Sequence, residues 1–328
     1  MSKLKRLLVT GATGFLGSHI CRFANAHGYL IIPGIRKASE SKLKGDFYQD
    51  PLFIDLLDGS KFKAALVTYE SLYGAIDYVI HCAGITRSKH LETFELGNKI
   101  FTEIIATAFT EKTTTCKKFI FISSLAAIGP GDPISMKGIN ESDPPKPISP
   151  YGKSKLAAEE AIENIKNLPW LIFRPTAIYG PGDHNFPKFY QLFKRGIDIR
   201  IGDKERKMSF VHVHDLAALL VQALNSECVH KHYGVSDGRA YTQEEFHNYI
   251  KQAFQVKAIK IHIPMALAKG IGQFNEHIAS LKGEAAHMSA IKIKDLTSKN
   301  WIVNIAAIKK DFSFQPKYTL DKVDFSKL

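Results

Sequence analysis

Short apolar runs alternate with stretches of helical period along the first half of the chain. Runs near 6–10, 29–35, 51–55, 76–81, 118–123 and 169–174 are too brief for helices and carry few polar residues, as strands covered on both faces do. The segments between them repeat apolar residues at helical spacing. Strands and helices in alternation predict an α/β fold, a doubly wound parallel sheet. After Pro175 the pattern loosens. The chain is therefore divided into a lobe of 1–174, with 208–236 returning to it, and a smaller C-terminal lobe of 175–207 and 237–328. The Pro-rich stretch from Gly129 to Pro150 reads as a long loop, a candidate lid or substrate wall.

The first strand runs directly into Gly11-Ala-Thr-Gly14-Phe-Leu-Gly17, and a helical pattern then continues to His27. Three glycines at spacing three allow a tight turn and let a pyrophosphate approach the backbone. The N–H groups of Phe15, Leu16 and Gly17 would open the helix, where its positive end attracts phosphate. This turn predicts a dinucleotide site.

A second candidate lies mid-chain. Tyr151-Gly-Lys-Ser-Lys155 sets a phenol and an ammonium one helical turn apart. The spacing alone is cheap, because three of the twelve tyrosines (Tyr151, Tyr190 and Tyr318) have Lys four residues on. Only Tyr151 opens a well-signalled helix, with Ser149 as N-cap and Pro150 at the first position. Only Tyr151 follows a strand ending in hydroxyls, Ser123 and Ser124. Tyr190 and Tyr318 read as surface coincidences. A phenol of pKa ~10 is a poor base at pH 7, and a cation one turn away favours its ionised form.

With these motifs in this order, the chain resembles the extended short-chain dehydrogenase/reductases of the NAD-dependent epimerase/dehydratase group. His81-Cys82-Ala83-Gly84 resembles the group's H-x-A-G element beneath the cofactor, and Asn98-Lys-Ile-Phe-Thr102 its N-V-x-G-T helix. Phe173 to Gly182 resembles its R-P-x-x-x-Y-G-P loop, which brings Pro175 and Ile178 beside the nicotinamide. Ser209 to Asp215 resembles its return strand, and Trp301 to Pro316 its C-terminal tail. The resemblance implies a Rossmann-type sheet with a smaller substrate-binding lobe. It also implies hydride transfer with Tyr151 as acid/base, Ser124 holding the substrate oxygen, and Lys155 reaching the nicotinamide ribose. Asn98 supports that lysine. A homodimer paired through the helices of Asn98 and Lys155 is implied as well.

The cofactor expectation is NADP(H), with NAD(H) possible. NAD-preferring relatives end the second strand in an acid, whereas Ile35 stands here, followed by Arg36 and Lys37. Asp55, with Leu56 beside it, resembles the acid that reads the adenine amino group. The family's dehydratases carry an acid pair just after the serine, where Leu125 and Ala126 stand. Carbonyl/alcohol redox on a sterol-, lipid- or flavonoid-like molecule is therefore expected. A nucleotide-sugar 4-epimerase is the alternative, and an NADPH-sensing binding protein the non-enzyme one. Met208 falls where nucleotide-sugar members place a diphosphate-gripping Arg.

Composition changes little. The net charge of +12 is scattered, which disfavours nucleic acid as a partner and suits an anionic cofactor. No apolar run reaches the ~18 residues of a membrane span, and Met-Ser-Lys-Leu-Lys-Arg leads straight into the first strand, leaving no room for a signal peptide. Cys21, Cys82, Cys116 and Cys228 lie far apart, as reduced thiols of a cytoplasmic protein do. The terminal Ser326-Lys327-Leu328 spells a peroxisomal address if the cell is eukaryotic. His212 and His214 alternate on the last predicted strand, with Asp215 better suited to a helix N-cap than to a metal, and no metal is expected.

Overall fold

The computed structural model describes residues 5–54, 59–88, 90–110, 116–183, 186–202, 205–281, 290–323 and 325. Asp55, Leu56 and the terminal Ser326-Lys327-Leu328 lie outside the described residues. Seven strands form one sheet: β1 (Lys5–Thr10), β2 (Tyr29–Ile35), β3 (Leu52–Phe53), β4 (Tyr78–His81), β5 (Lys118–Ile122), β6 (Trp170–Pro175) and β7 (Lys231–Val235). Their order is β7-β6-β5-β4-β1-β2-β3 and every pairing is parallel. The strand order reverses between β1 and β4. Ligands of open α/β sheets bind in the crevice that such a reversal leaves beyond the strand ends.

Alternate residues of each strand feed two cores. Leu7, Val9, Ile120, Leu171 and Phe173 pack into one face, and Leu8, Phe119, Phe121 and Ile172 into the other. Helices cover both faces. These include α1 (Phe15–Ala26), α2 (Gly59–Tyr73), a long helix α3 over 91–108, α4 (Pro150–Glu163) and α5 (Val213–Ala223). The start of α4 follows the sequence signal: the Ser149 hydroxyl accepts from Gly152 N at 3.2 Å, and Pro150 holds the first position. Among the described residues no helix is long and apolar enough to cross a membrane.

Several expectations need correction. Tyr190 is not on the surface. It is buried in an aromatic cluster with Tyr179, Phe193, Phe210, Tyr241 and Phe246. His212 and His214 do not alternate on a strand, because the strand Phe210–His212 ends where α5 begins. The His212 side chain itself caps α5 by accepting from His214 N at 3.3 Å. Asp215 sits within the first turn instead, where its carboxylate accepts from Lys317 N at 3.0 Å and Tyr318 N at 2.9 Å. The loop from Gly129 to Pro150 is tied by backbone hydrogen bonds to residues 300–304, and none of its residues lines the cleft described below. Gly131 N donates to Asn300 O at 3.0 Å, Ile139 N to Ile302 O at 2.8 Å, and Asn304 N to Ile139 O at 2.9 Å.

Replacing Asp215 with Ala leaves two backbone donors of the C-terminal tail without acceptors. Unfolding free energy should fall by about 2 kcal/mol, with faster amide exchange at Lys317 and Tyr318. Urea titration and hydrogen exchange read both. Unchanged exchange at these amides would show that Asp215 does not tether the tail.

Candidate active site

The glycine turn sits at the strand reversal. Gly11 adopts φ +71, and a Cβ there would meet Ala83 N at 2.9 Å. A Cβ on Gly17 would lie 2.1 Å from the Gly11 carbonyl oxygen, so only glycine lets α1 start against the turn. Gly14 N donates to Gly11 O at 2.9 Å, and α1 begins with neither a side-chain cap nor an acid in its first turn. An uncapped positive helix end beside a backbone without side chains suits the pyrophosphate of a dinucleotide.

A cleft of about 580 Å³ extends from this cradle. At one end it is lined by Arg36, and along its floor by Gly11, Gly14, Phe15, Leu16 and Gly17. Cys82, Ala83 and Gly84 follow, then Ser124, Tyr151, Lys155, Pro175 and Ile178. Its described lining includes two cations and no carboxylate. Lys37 is not among these residues: its ammonium pairs with Glu40 at 2.7 Å and lies 4.3 Å from the Phe53 ring centre. Asn98 stands just behind the cleft. Sequence reasoning missed Ser39, Ile54, Thr86 and Thr176, which also line it. Ser39 falls in a 3₁₀ turn over Lys37–Lys42, and no periodicity or motif marks which of its residues turns inward.

Ser124, Tyr151 and Lys155 converge. Ser124, two residues past the end of β5, caps a short 3₁₀ turn by accepting from Ala126 N at 3.2 Å, and it lines the cleft together with Tyr151. Burial pushes the Tyr151 phenol up to about 12, with the Ser124 side chain opposing. Lys155 donates to the Ile122 carbonyl at 2.6 Å and lies 4.0 Å from the Phe121 ring centre. Burial brings its ammonium down to about 8, with Cys82 and Glu159 opposing. Both groups therefore hold their protons at pH 7, and the site is set as an acid. The Cys82 thiol, pushed up to about 12 by burial and opposed by Lys155, is no nucleophile.

Asn98 lies in a π-helical turn, Glu95–Ile100, within α3. Such bulges are frequent at functional sites. Its side chain clamps Ile85, accepting from Ile85 N at 2.7 Å and donating to Ile85 O at 3.0 Å, and also donates to Ser154 at 2.9 Å. A Cβ on Gly84 would come within 3.1 Å of Asn98 Oδ1 and 3.8 Å of Lys155 Nζ, so the two side chains flank this glycine.

His81 connects the parts. The Thr10 hydroxyl oxygen accepts from Cys82 N at 3.2 Å and Ala83 N at 3.1 Å, so its proton goes to His81 Nδ1, 2.6 Å away. His81 Nε2 then carries the hydrogen and donates to Thr102 Oγ1 at 2.9 Å, which donates in turn to the Asn98 carbonyl. Burial, reinforced by Lys155, lowers His81 to about 3 and keeps it neutral. This histidine orients backbone and exchanges no protons at neutral pH.

Residues 7–235 match the NAD dependent epimerase/dehydratase family, and the chain belongs to it. It is similar to a UDP-glucose 4-epimerase of Vibrio cholerae, 25% identical over 97% of this chain and 93% of that protein. A ceramide reductase of Caulobacter vibrioides is 30% identical over 65% of this chain and 59% of the reductase. The structure of WbmG from Bordetella bronchiseptica with NAD and UDP superposes with a TM-score of 0.77 at 15% identity, covering 99% of this chain and 94% of that one. The protein is thus an enzyme of the extended short-chain dehydrogenase/reductase type that works with a nicotinamide cofactor.

The folded pKa of His81 lies below its unfolded value of 6.5, so its stabilising contribution is complete above that pH and is lost as pH falls towards 3. Between pH 7 and pH 5 this one group should remove about 2 kcal/mol, at 1.36 kcal/mol per unit. Ring-nitrogen NMR should find the neutral Nε2–H form unchanged down to pH 5. Titration of His81 above pH 5.5 would contradict the relay.

Proposed function

We propose that the protein is an NADP(H)-dependent oxidoreductase interconverting a carbonyl and an alcohol on a small lipid-like molecule. The observation that carries this is the convergence of Ser124, Tyr151 and Lys155 on the cleft that begins at the glycine cradle. The phosphates belong against Gly14, Phe15, Leu16 and Gly17. At the far end Arg36 and Ser39 line the cleft where a 2′-phosphate would sit, and Ile35 stands where an acid would repel it. When bound, the nicotinamide supplies or takes up the electron pair at the substrate carbon. Ser124 holds the substrate oxygen, and Tyr151 Oη gives that oxygen a proton in reduction and takes it back in oxidation. Lys155 keeps positive charge beside the phenol and holds the ribose. Asn98 acts behind them by fixing Ile85 at the cleft wall.

The substrate would enter from the lobe formed by 175–207 and 237–328, with Thr86 and Thr176 on its path. The relative named a ceramide reductase and the absence of a cation at Met208 favour an uncharged, lipid-like substrate. The epimerase similar along almost the whole chain keeps a nucleotide-sugar 4-epimerase as the second reading. We place the enzyme in the cytoplasm as a homodimer paired through α3 and α4, with exposed Leu91 and Leu96 on the pairing surface.

Changing Tyr151 to Phe keeps the ring and removes the proton, so kcat should fall at least a hundredfold while the Kd for NADPH stays within about twofold. A variant retaining more than about a tenth of the wild-type kcat refutes the acid/base assignment.

Ligand-induced stabilisation tests cofactor and substrate together. NADPH should bind roughly ten- to a hundredfold more tightly than NADH, and Arg36→Ala should erase the difference. With NADP present, long-chain ketones at 100 times their Kd should stabilise the protein by about 2.7 kcal/mol. Stabilisation by UDP-, GDP- or dTDP-sugars and not by ketones would establish the epimerase reading instead.

A further inference from the structure

On the sheet side of α4, one turn after Lys155, Glu159 is completely buried. Its carboxylate accepts from Arg174 Nη2 at 2.6 Å and from Arg174 Nε at 3.1 and 3.2 Å. It also accepts from the Ser123 hydroxyl. Ser123 immediately precedes Ser124, and Arg174 immediately precedes Pro175, so both partners anchor the strand ends from which the cleft is built. Burying an ion pair this deeply is weak evidence for stability, since apolar replacements are often as stable. Stability alone therefore gives little reason for a carboxylate here.

The groups facing Lys155 sharpen the point. From β4 and the residue that follows it come His81 and Cys82, both neutral at pH 7 for the reasons above. From its own helix come Tyr151, also neutral, and Glu159. From the end of β5 come the Ile122 carbonyl and the Phe121 ring. Among these, Glu159 alone carries negative charge, and Arg174 behind it is the cation that competes with Lys155 for it.

We propose that Glu159 is a positioning residue of the catalytic centre: its clamped carboxylate fixes the Ser123–Ser124 corner against α4 and sets a negative charge one turn from Lys155. This inference rests on the Tyr151–Lys155 reading. Burial draws protons off Lys155, Glu159 opposes that loss, and the cation beside the phenol persists through neutral pH.

The test is competitive acetylation of the Lys155 amine across pH in the cofactor-free protein, read by mass spectrometry. Glu159→Gln removes the anion and should lower the midpoint by about one unit or more. Arg174→Gln frees the anion from its partner and should raise it. Opposite shifts are the expected result, and a purely structural pair would lower thermal stability without producing them. Midpoints that stay put, or move in the same direction, overturn the proposal. If one variant fails to fold, the sign of the shift in the other decides. Turnover of Tyr151→Phe judges the acid/base reading separately, because the labelling does not depend on activity.

Discussion

The site depends on one hydrogen bond, from the buried Lys155 ammonium to the carbonyl of Ile122. It ties α4 to the end of β5 and thereby sets where the other groups fall. Tyr151 stands one turn earlier on the same helix, and Ser124 two residues beyond the accepting carbonyl. The cation is placed where water is scarce. Its own charge is therefore costly to keep, and burial draws its proton off. The Thr10–His81–Thr102 chain and the Asn98 clamp hold the opposite wall of the same cleft.

Much of this was legible in the sequence because local chemistry sets it. The glycines of the turn, the Ser149–Pro150 helix start and the hydroxyls ending β5 each follow from backbone sterics or capping within a few residues. All six strands predicted in the first half lie within two residues of their observed limits. The third shrinks to Leu52–Phe53, with Asp55 and Leu56 outside the described residues. What failed depends on distant contacts. Tyr190 is buried by aromatic rings from several elements, which no local period encodes. The roles of His212 and Asp215 turned on where a short strand gives way to a helix. The loop after Gly129 is fixed by backbone bonds to 300–304, which leave no mark on side-chain chemistry.

Electrostatics gives the site a direction. With the phenol near 12 and the ammonium near 8, the cofactor-free site donates protons and does not accept them. Running the reaction as an oxidation near pH 7 requires about 7 kcal/mol of further stabilisation of the phenolate, at 1.36 kcal/mol per unit. Lys155 is already in place, so this must come from elsewhere. On the reading proposed above, the positive charge of an oxidised nicotinamide beside Tyr151 is the available source. The scattered positive surface and a described cleft lining without carboxylates draw such a polyanionic cofactor in.

The ultraviolet difference titration of Tyr151, taken as wild type minus Tyr151→Phe, tests this most directly. Without cofactor the midpoint should lie near 12, and saturating NADP⁺ should lower it by several units. A midpoint unmoved by NADP⁺ would mean that Tyr151 does not face the reacting end of the cofactor, and the account of this site would fail.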